Sequence, residues 1–268
     1  MKQIICMKWG DKYGPEYVNK IYGMLLRNIT PPFRLVCLTD DPTGIREEVI
    51  CHDIPPLGCE IPKDVPGKWP KQVLWSENLA NLEGTALFLD LDIVITRNID
   101  DFFTYGDPDD VILARNWVRP LERLGQSSVF RFPIGKHHYL LDNLRKDSAT
   151  IARKYRFEQR YITRNIVGGI KFWPRGWVSH FRLDCLGLWP LRYLRPAKLP
   201  DRARIVIFPG NPDPSDVIAG RWSPRYQSLG RWQHIKQAFS KDRPGKSWFK
   251  HIRSYVLPAA WVGEYWRE

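Results

Sequence analysis

The chain has 268 residues, 43% of them hydrophobic, and a net charge of +12 from 41 Lys+Arg against 29 Asp+Glu. That length and apolar content suit one large α/β domain, or one domain with an appendage, and exclude a disordered chain. No apolar run approaches the ~18 residues that a bilayer-spanning helix needs.

The first ten residues, Met1-Lys-Gln-Ile-Ile-Cys-Met-Lys-Trp-Gly10, hold too short an apolar stretch for a signal peptide. Residues 4–7 read as a first strand, and the glycines and proline of 9–15 as a loop. Tyr17, Ile21, Tyr22, Met24 and Leu25 recur at near-helical spacing, which predicts a helix over 16–27, after Pro15. This β-loop-α pattern opens a nucleotide-binding half. Residues 33–38 form a second strand, with Thr39, Asp40 and Asp41 at its carboxyl end. Ligands gather at that end of strands in open α/β sheets, so Thr39 and Asp40 are placed to meet a nucleoside. The same residues also begin a strong turn sequence, Asp-Asp-Pro-Thr-Gly. A third strand is expected over 49–54, then a Pro/Gly-rich loop through Gly67. Lys68-Trp-Pro-Lys71 leads into a helix predicted over 72–82, with Val73, Leu74, Trp75 and Leu79 as its apolar set. Lys71 at a helix start is electrostatically out of place, a conflict that an approaching anion would remove. A solvated surface lysine is the alternative.

The chain is organised around Thr85-Ala-Leu-Phe-Leu-Asp-Leu-Asp-Ile-Val-Ile-Thr-Arg-Asn-Ile-Asp-Asp-Phe-Phe103. Residues 86–89 read as a short buried strand after Gly84, and it runs into Asp90 and Asp92. Residues two apart on a strand face the same way, so both carboxylates fall on one side of its tip. Close like charges repel unless a cation lies between them, and a hard divalent ion would carry phosphates as its remaining ligands. A plain helix cap is the competing view of a bare Asp-x-Asp.

This stretch resembles the Asp-x-Asp region of GT-A fold glycosyltransferases, most closely the retaining family that includes glycogenin and bacterial lipooligosaccharide galactosyltransferases. The resemblance implies an α/β GT-A fold, a mixed central sheet flanked by helices. It also implies a Mn²⁺ or Mg²⁺ ion on Asp90 and Asp92, and a nucleotide-sugar donor, UDP-sugar by the family's habit. Tyr13 matches the tyrosine that stacks on uracil, and Lys71 a lysine that contacts the donor near the metal.

Downstream, residues 111–114 read as a strand. Gln126-Ser-Ser-Val-Phe-Arg-Phe132 resembles the family's Asn-Ser-Gly-Val strand beside the donor sugar, which makes Ser127 and Ser128 donor-binding candidates; an ordinary edge strand is the alternative. Residues 137–155 read as one helix, with His137 and His138 solvated at its start. Glu158-Gln159 resembles the family's Asp-Gln helix start, with Glu158 in place of the more usual aspartate; there the acid orients the donor and the amide lies near the anomeric carbon, which makes Glu158 and Gln159 the catalytic candidates, and a simple cap is the other reading. Arg204-Ile-Val-Ile-Phe-Pro-Gly-Asn-Pro-Asp-Pro214 resembles the terminal His-x-x-Gly-x-x-Lys-Pro element, but Ile207 stands in the histidine position and Asp213 in the lysine position. Isoleucine ligates no metal, so the third ligand is missing or comes from Asn211, Asp213 or His180. Gly210 and Asn211 can still offer backbone donors to phosphate.

Charge is uneven. Residues 1–150 carry 18 Lys+Arg against 21 Asp+Glu, and residues 151–268 carry 23 against 8. From 216 to 268, tryptophans and tyrosines alternate with lysines and arginines, a composition that suits a membrane interface and equally suits rings packed on the core. Five cysteines without a C-x-x-C pair suit reduced thiols.

These readings give a catalytic domain over 1–215 and a basic aromatic extension over 216–268, packed on the core or membrane-facing. The expected activity is metal-dependent, retaining transfer of a sugar from a nucleoside diphosphate sugar to an acceptor hydroxyl, in cell-surface glycan or glycolipid synthesis. Expected partners are the donor, a glycan or glycolipid acceptor and an anionic membrane surface; the expected location is the cytoplasm, at the inner face of the membrane. Nucleotidyl transfer on a related fold and a non-catalytic basic binding module are the alternatives.

Overall fold

The computed structural model describes residues 1–119, 121–245 and 247–268. Its strands are β1 (Lys2–Lys8), β2 (Phe33–Thr39), β3 (Ile50–Asp53), β4 (Thr85–Leu89), β5 (Ile93–Ile95), β6 (Val111–Arg115), β7 (Gly125–Pro133), β8 (Ile170–Phe172), β9 (Val178–His180) and β10 (Ile205–Ile207). Its α-helices are α1 (Pro15–Asn28), α2 (Asp101–Thr104), α3 (Tyr139–Lys146), α4 (Ser148–Tyr155), α5 (Glu158–Asn165), α6 (Pro214–Ile218), α7 (Arg231–Ala238), α8 (Trp248–Ile252) and α9 (Ala260–Tyr265). The described residues divide into two compact units. One comprises Met1–Tyr22, Ile29–Leu91 and Ile99–Pro174; the other comprises Gly23–Asn28, Asp92–Asn98 and Arg175–Glu268.

The first unit is built on a seven-stranded sheet in the order β3-β2-β1-β4-β7-β6-β8. β1 to β4 are mutually parallel, and β7 runs antiparallel to β4 and β6. The apolar runs of β1 and β4 are buried from end to end because both faces of the sheet are covered. All nine residues of β7 are buried too, so it is a central strand and the edge-strand alternative does not hold. Trp69, Trp75, Leu140, Leu144 and Tyr161 pack with Phe88, Phe130 and Phe132 in one core. Arg131 of β7 is fully buried and donates to the carbonyls of Phe102, Phe103 and Asp107, satisfying the end of α2.

Three local expectations change. The helix expected over 72–82 is a 3-10 turn, Trp69–Trp75, and no more. Ser76 ends it by turning extended and bonding its hydroxyl to the Val73 carbonyl at 2.7 Å, and Ala80 and Asn81 both take a left-handed φ of 52°. The single helix expected over 137–155 breaks at Asp147, whose carboxylate accepts from the Thr150 N–H and so starts α4 afresh. His137 is buried rather than solvated: its Nδ1 lies 3.0 Å from the Tyr139 hydroxyl, and its ring meets Trp75 edge-on. All five cysteines are free.

The second unit holds a three-stranded sheet, β5-β10-β9, and helices α6 to α9. Its interior contains a stacked histidine pair. The rings of His234 and His251 lie 4.2 Å apart, and each Nε2–H donates to the other's backbone carbonyl, at 2.8 and 3.2 Å. Tyr226 stacks on one ring and Tyr255 leans on the other. Burial pushes the His234 imidazole down to about 4 and lowers His251 as well, with Arg243 adding to the second shift. Both folded values lie below the ordinary 6.5, so below that pH the unfolded chain takes up protons that the folded chain refuses. The pair's contribution to stability is complete above about pH 6.5 and is lost as pH falls towards about 4. Thermal unfolding should therefore weaken across this window, and glutamine at both positions should flatten that pH dependence.

Candidate active site

In the first unit, β2 and β3 lie on one side of β1 and β4 on the other, so the sheet has its topological switch between β1 and β4. Ligands of open α/β sheets bind in the crevice outside the carboxyl ends of the strands at such a point. The loop after β1 is anchored there by Gly10, which takes a left-handed φ of 59° and donates its N–H to Asp40 Oδ2 at 2.9 Å. Asp40 is exposed at the end of β2, while Thr39 is buried and exchanges hydrogen bonds with the Asp41 backbone, at 3.0 and 3.1 Å. Tyr13 lies in the same loop, its ring 4.6 Å from that of Tyr17 and capped by the Lys12 ammonium.

Asp90 follows β4 directly, and its N–H donates to the Ser128 carbonyl at 2.9 Å, which ties the strand tip to the start of β7. Lys71, on the 3-10 turn, forms an ion pair with Asp90 Oδ1 and lies over the Phe88 ring at 5.1 Å. The lysine is only 7% exposed, so the solvated-surface alternative does not hold. Gln126 closes a ring with Ser128, its amide donating to the Ser128 hydroxyl at 2.6 Å and accepting from the Ser128 N–H at 2.8 Å. The buried Ser127 hydroxyl has no partner among the described residues.

Glu158 begins α5, 3% exposed, and accepts the Lys68 N–H at 2.8 Å. Its carboxylate packs against Gly67, where a Cβ would come within 2.8 Å of it. It thereby fixes the loop that carries Lys68 to Lys71. Gln159 is half-buried on the same turn. Sequence reasoning missed the burial of Gln72, which is 0% exposed and whose amide atoms have no partner among the described residues. Its only signal was a polar side chain in the apolar run Trp69–Trp75.

Asp92, Gly210 and Asn211 belong to the second unit. The Asp92 carbonyl accepts the Phe208 N–H at 3.0 Å, which joins the start of β5 to the end of β10. Gly210 has a φ of +84°, and it and Asn211 are exposed. Ile207 is fully buried in β10, in register with Ile93 on one side and His180 on the other. Cross-strand partners share a face, so His180 lies beside Ile207 in the interior; its Nδ1 accepts the Arg182 N–H at 3.1 Å, and burial pushes its pKa down to about 4. Asp213 begins α6, its N–H donating to Asp216 Oδ2 at 3.3 Å. Among the described residues no group of three or more His, Cys, Asp and Glu side chains forms a metal cluster.

No protein-family model and no curated protein matches the chain. Solved structures do match. The galactosyltransferase LgtC, in complex with donor and acceptor sugar analogues, superposes with a TM-score of 0.55 at 11% identity, over 98% of this chain and 99% of that one. The glycosyltransferase GlyE of Streptococcus pneumoniae TIGR4 gives 0.55 at 12% identity, over 100% of this chain and 66% of that one. The bifunctional glycosyltransferase WbbM gives 0.52 at 9% identity, and here 80% of this chain covers 46% of the other. The chain thus spans about half of WbbM and two thirds of GlyE. At these identities the likeness establishes the fold, a mixed α/β GT-A architecture with a seven-stranded central sheet flanked by helices.

Proposed function

We propose that this chain transfers a sugar from a nucleoside diphosphate sugar, with UDP as the nucleotide, to a hydroxyl of a glycan or glycolipid, keeping the anomeric configuration. The observation that carries the reading is the Lys71 ammonium, almost wholly removed from water and held by Asp90 at the carboxyl end of β4. When the bond from the anomeric carbon to the diphosphate breaks, negative charge grows on the leaving group. A cation already fixed in a water-poor setting stabilises that charge without reorganising. Tyr13, Thr39 and Asp40 receive the nucleoside, Ser127 and Ser128 the sugar hydroxyls, and the backbone of Gly210 and Asn211 the phosphates. Gln159 offers its amide to the sugar, and Glu158 holds the Lys68–Lys71 loop in place.

Asp90 and Asp92 each offer carboxylate oxygens, the ligand type that a hard divalent ion takes beside phosphate and water. When bound, Mn²⁺ or Mg²⁺ supplies electrostatic stabilisation of the leaving diphosphate.

Incubation with common nucleotide sugars tests the reading. Release of free nucleoside diphosphate is expected, with UDP-sugars the best donors. Release of sugar 1-phosphate would instead mean nucleotidyl transfer, and no product from any donor would overturn the proposal.

A further inference from the structure

The second unit carries an exposed face that sugar transfer does not explain. Phe239, Trp248, Phe249 and Trp189 form a continuous row of rings, with centroids 5.7, 5.8 and 6.4 Å apart in turn. These side chains are 68, 50, 45 and 43% exposed, so the row is an open surface and not a core. Two segments distant in sequence build it. They are locked together by the Tyr193 hydroxyl, which donates to the Ile252 carbonyl at 2.7 Å, and by Arg192 Nη1, which donates to the Arg253 carbonyl at 2.7 Å. Aliphatic side chains continue the first segment: Leu188 is 82% exposed and Leu191 49%. Apolar surface of this kind, contiguous across two segments, marks an interaction site.

The charge around it selects the partner. The described residues of stretches 181–195 and 231–253 include nine Lys and Arg against two Asp. Arg253 lies over the Phe249 ring at 5.4 Å, and Lys250, the residue after Phe249 in α8, is exposed. Two copies of so basic a face would repel one another. Aromatic rings with cations beside them suit the headgroup level of an anionic bilayer, with leucines at the acyl boundary. Single-stranded nucleic acid would use the rings and cations but leaves the leucines without a role. No helix among the described residues is long and apolar enough to cross a membrane, so the contact is peripheral.

We propose that this face docks the protein onto the surface of an anionic lipid bilayer, with Trp189, Trp248 and Phe249 inserted among the headgroups and Lys250 and Arg253 pairing with lipid phosphate. The full chain, sedimented with phosphatidylcholine vesicles with and without phosphatidylglycerol, should partition at least about tenfold more strongly onto the anionic ones and lose that preference in high salt. Because the altered side chains are exposed, Trp248→Ser with Phe249→Ser should keep the thermal unfolding of the parent while lowering partition at least about fivefold. Lys250→Glu with Arg253→Glu should abolish the preference for anionic lipid. Tryptophan fluorescence should be quenched by brominated acyl chains, and less so in Trp189→Phe with Trp248→Phe. Equal partition onto neutral and anionic vesicles would overturn the proposal. So would self-association, or capture of single-stranded DNA, that the serine variant removes in the absence of any vesicle binding.

Discussion

Asp90→Asn is expected to lower donor turnover by about 100- to 1000-fold, the loss typical of removing one preorganised electrostatic group from a transition state. The carboxylate is the partner of a lysine that is 7% exposed. Asparagine keeps the shape and one acceptor oxygen, so Lys71 retains a hydrogen bond but loses the charge that holds it ready. The cost in stability should stay near 1 kcal/mol, because the amide still accepts and the Asp90 side chain is partly reached by water. In a chain of this size that lowers the melting temperature by about 2–4 °C. A circular-dichroism melt beside the turnover assay therefore separates lost chemistry from lost fold.

Glu158 gives the second large effect, in stability as well as rate. A buried carboxylate that accepts a backbone N–H contributes about 1.5–3 kcal/mol, so Glu158→Ala should lower the melting temperature by about 3–12 °C and free the loop that carries Lys71. Glu158→Gln keeps an acceptor for the Lys68 N–H and should melt close to the parent. If Glu158 positions the loop, the glutamine enzyme keeps most of its turnover and the alanine enzyme loses most of it. Equal collapse of turnover in both, with the glutamine variant fully folded, would instead assign the negative charge itself to the reaction.

Much of the first unit was legible because its signals are local. Uninterrupted apolar runs gave β1, β2 and β4, and Pro15 marked the start of α1. The pairing of Lys71 with Asp90 was not legible: the residues alone pointed the aspartate to a divalent ion and the lysine to an approaching anion. What was not legible depended on neighbours remote in sequence. Leu79 lies where a helix from 72 would place it, yet the Ser76 hydroxyl and the left-handed Ala80 and Asn81 override that periodicity. His137 looked like a polar helix start because nothing in the sequence places Trp75 and Tyr139 around it. The burial of Gln72 follows from packing that one sequence does not display. In the tail, composition alone did not divide rings that pack, such as Tyr255 and Trp266 at 5 and 4% exposure, from rings that face outward, such as Trp248 and Phe249.

Calorimetric titration of the purified chain with UDP, with and without Mn²⁺, tests the central claim most directly. Saturable binding of one nucleotide per chain, weakened at least about tenfold in Lys71→Met, is the predicted result. Absence of any heat or thermal shift at millimolar UDP and UDP-sugars, or binding that ignores the loss of the Lys71 charge, would contradict it.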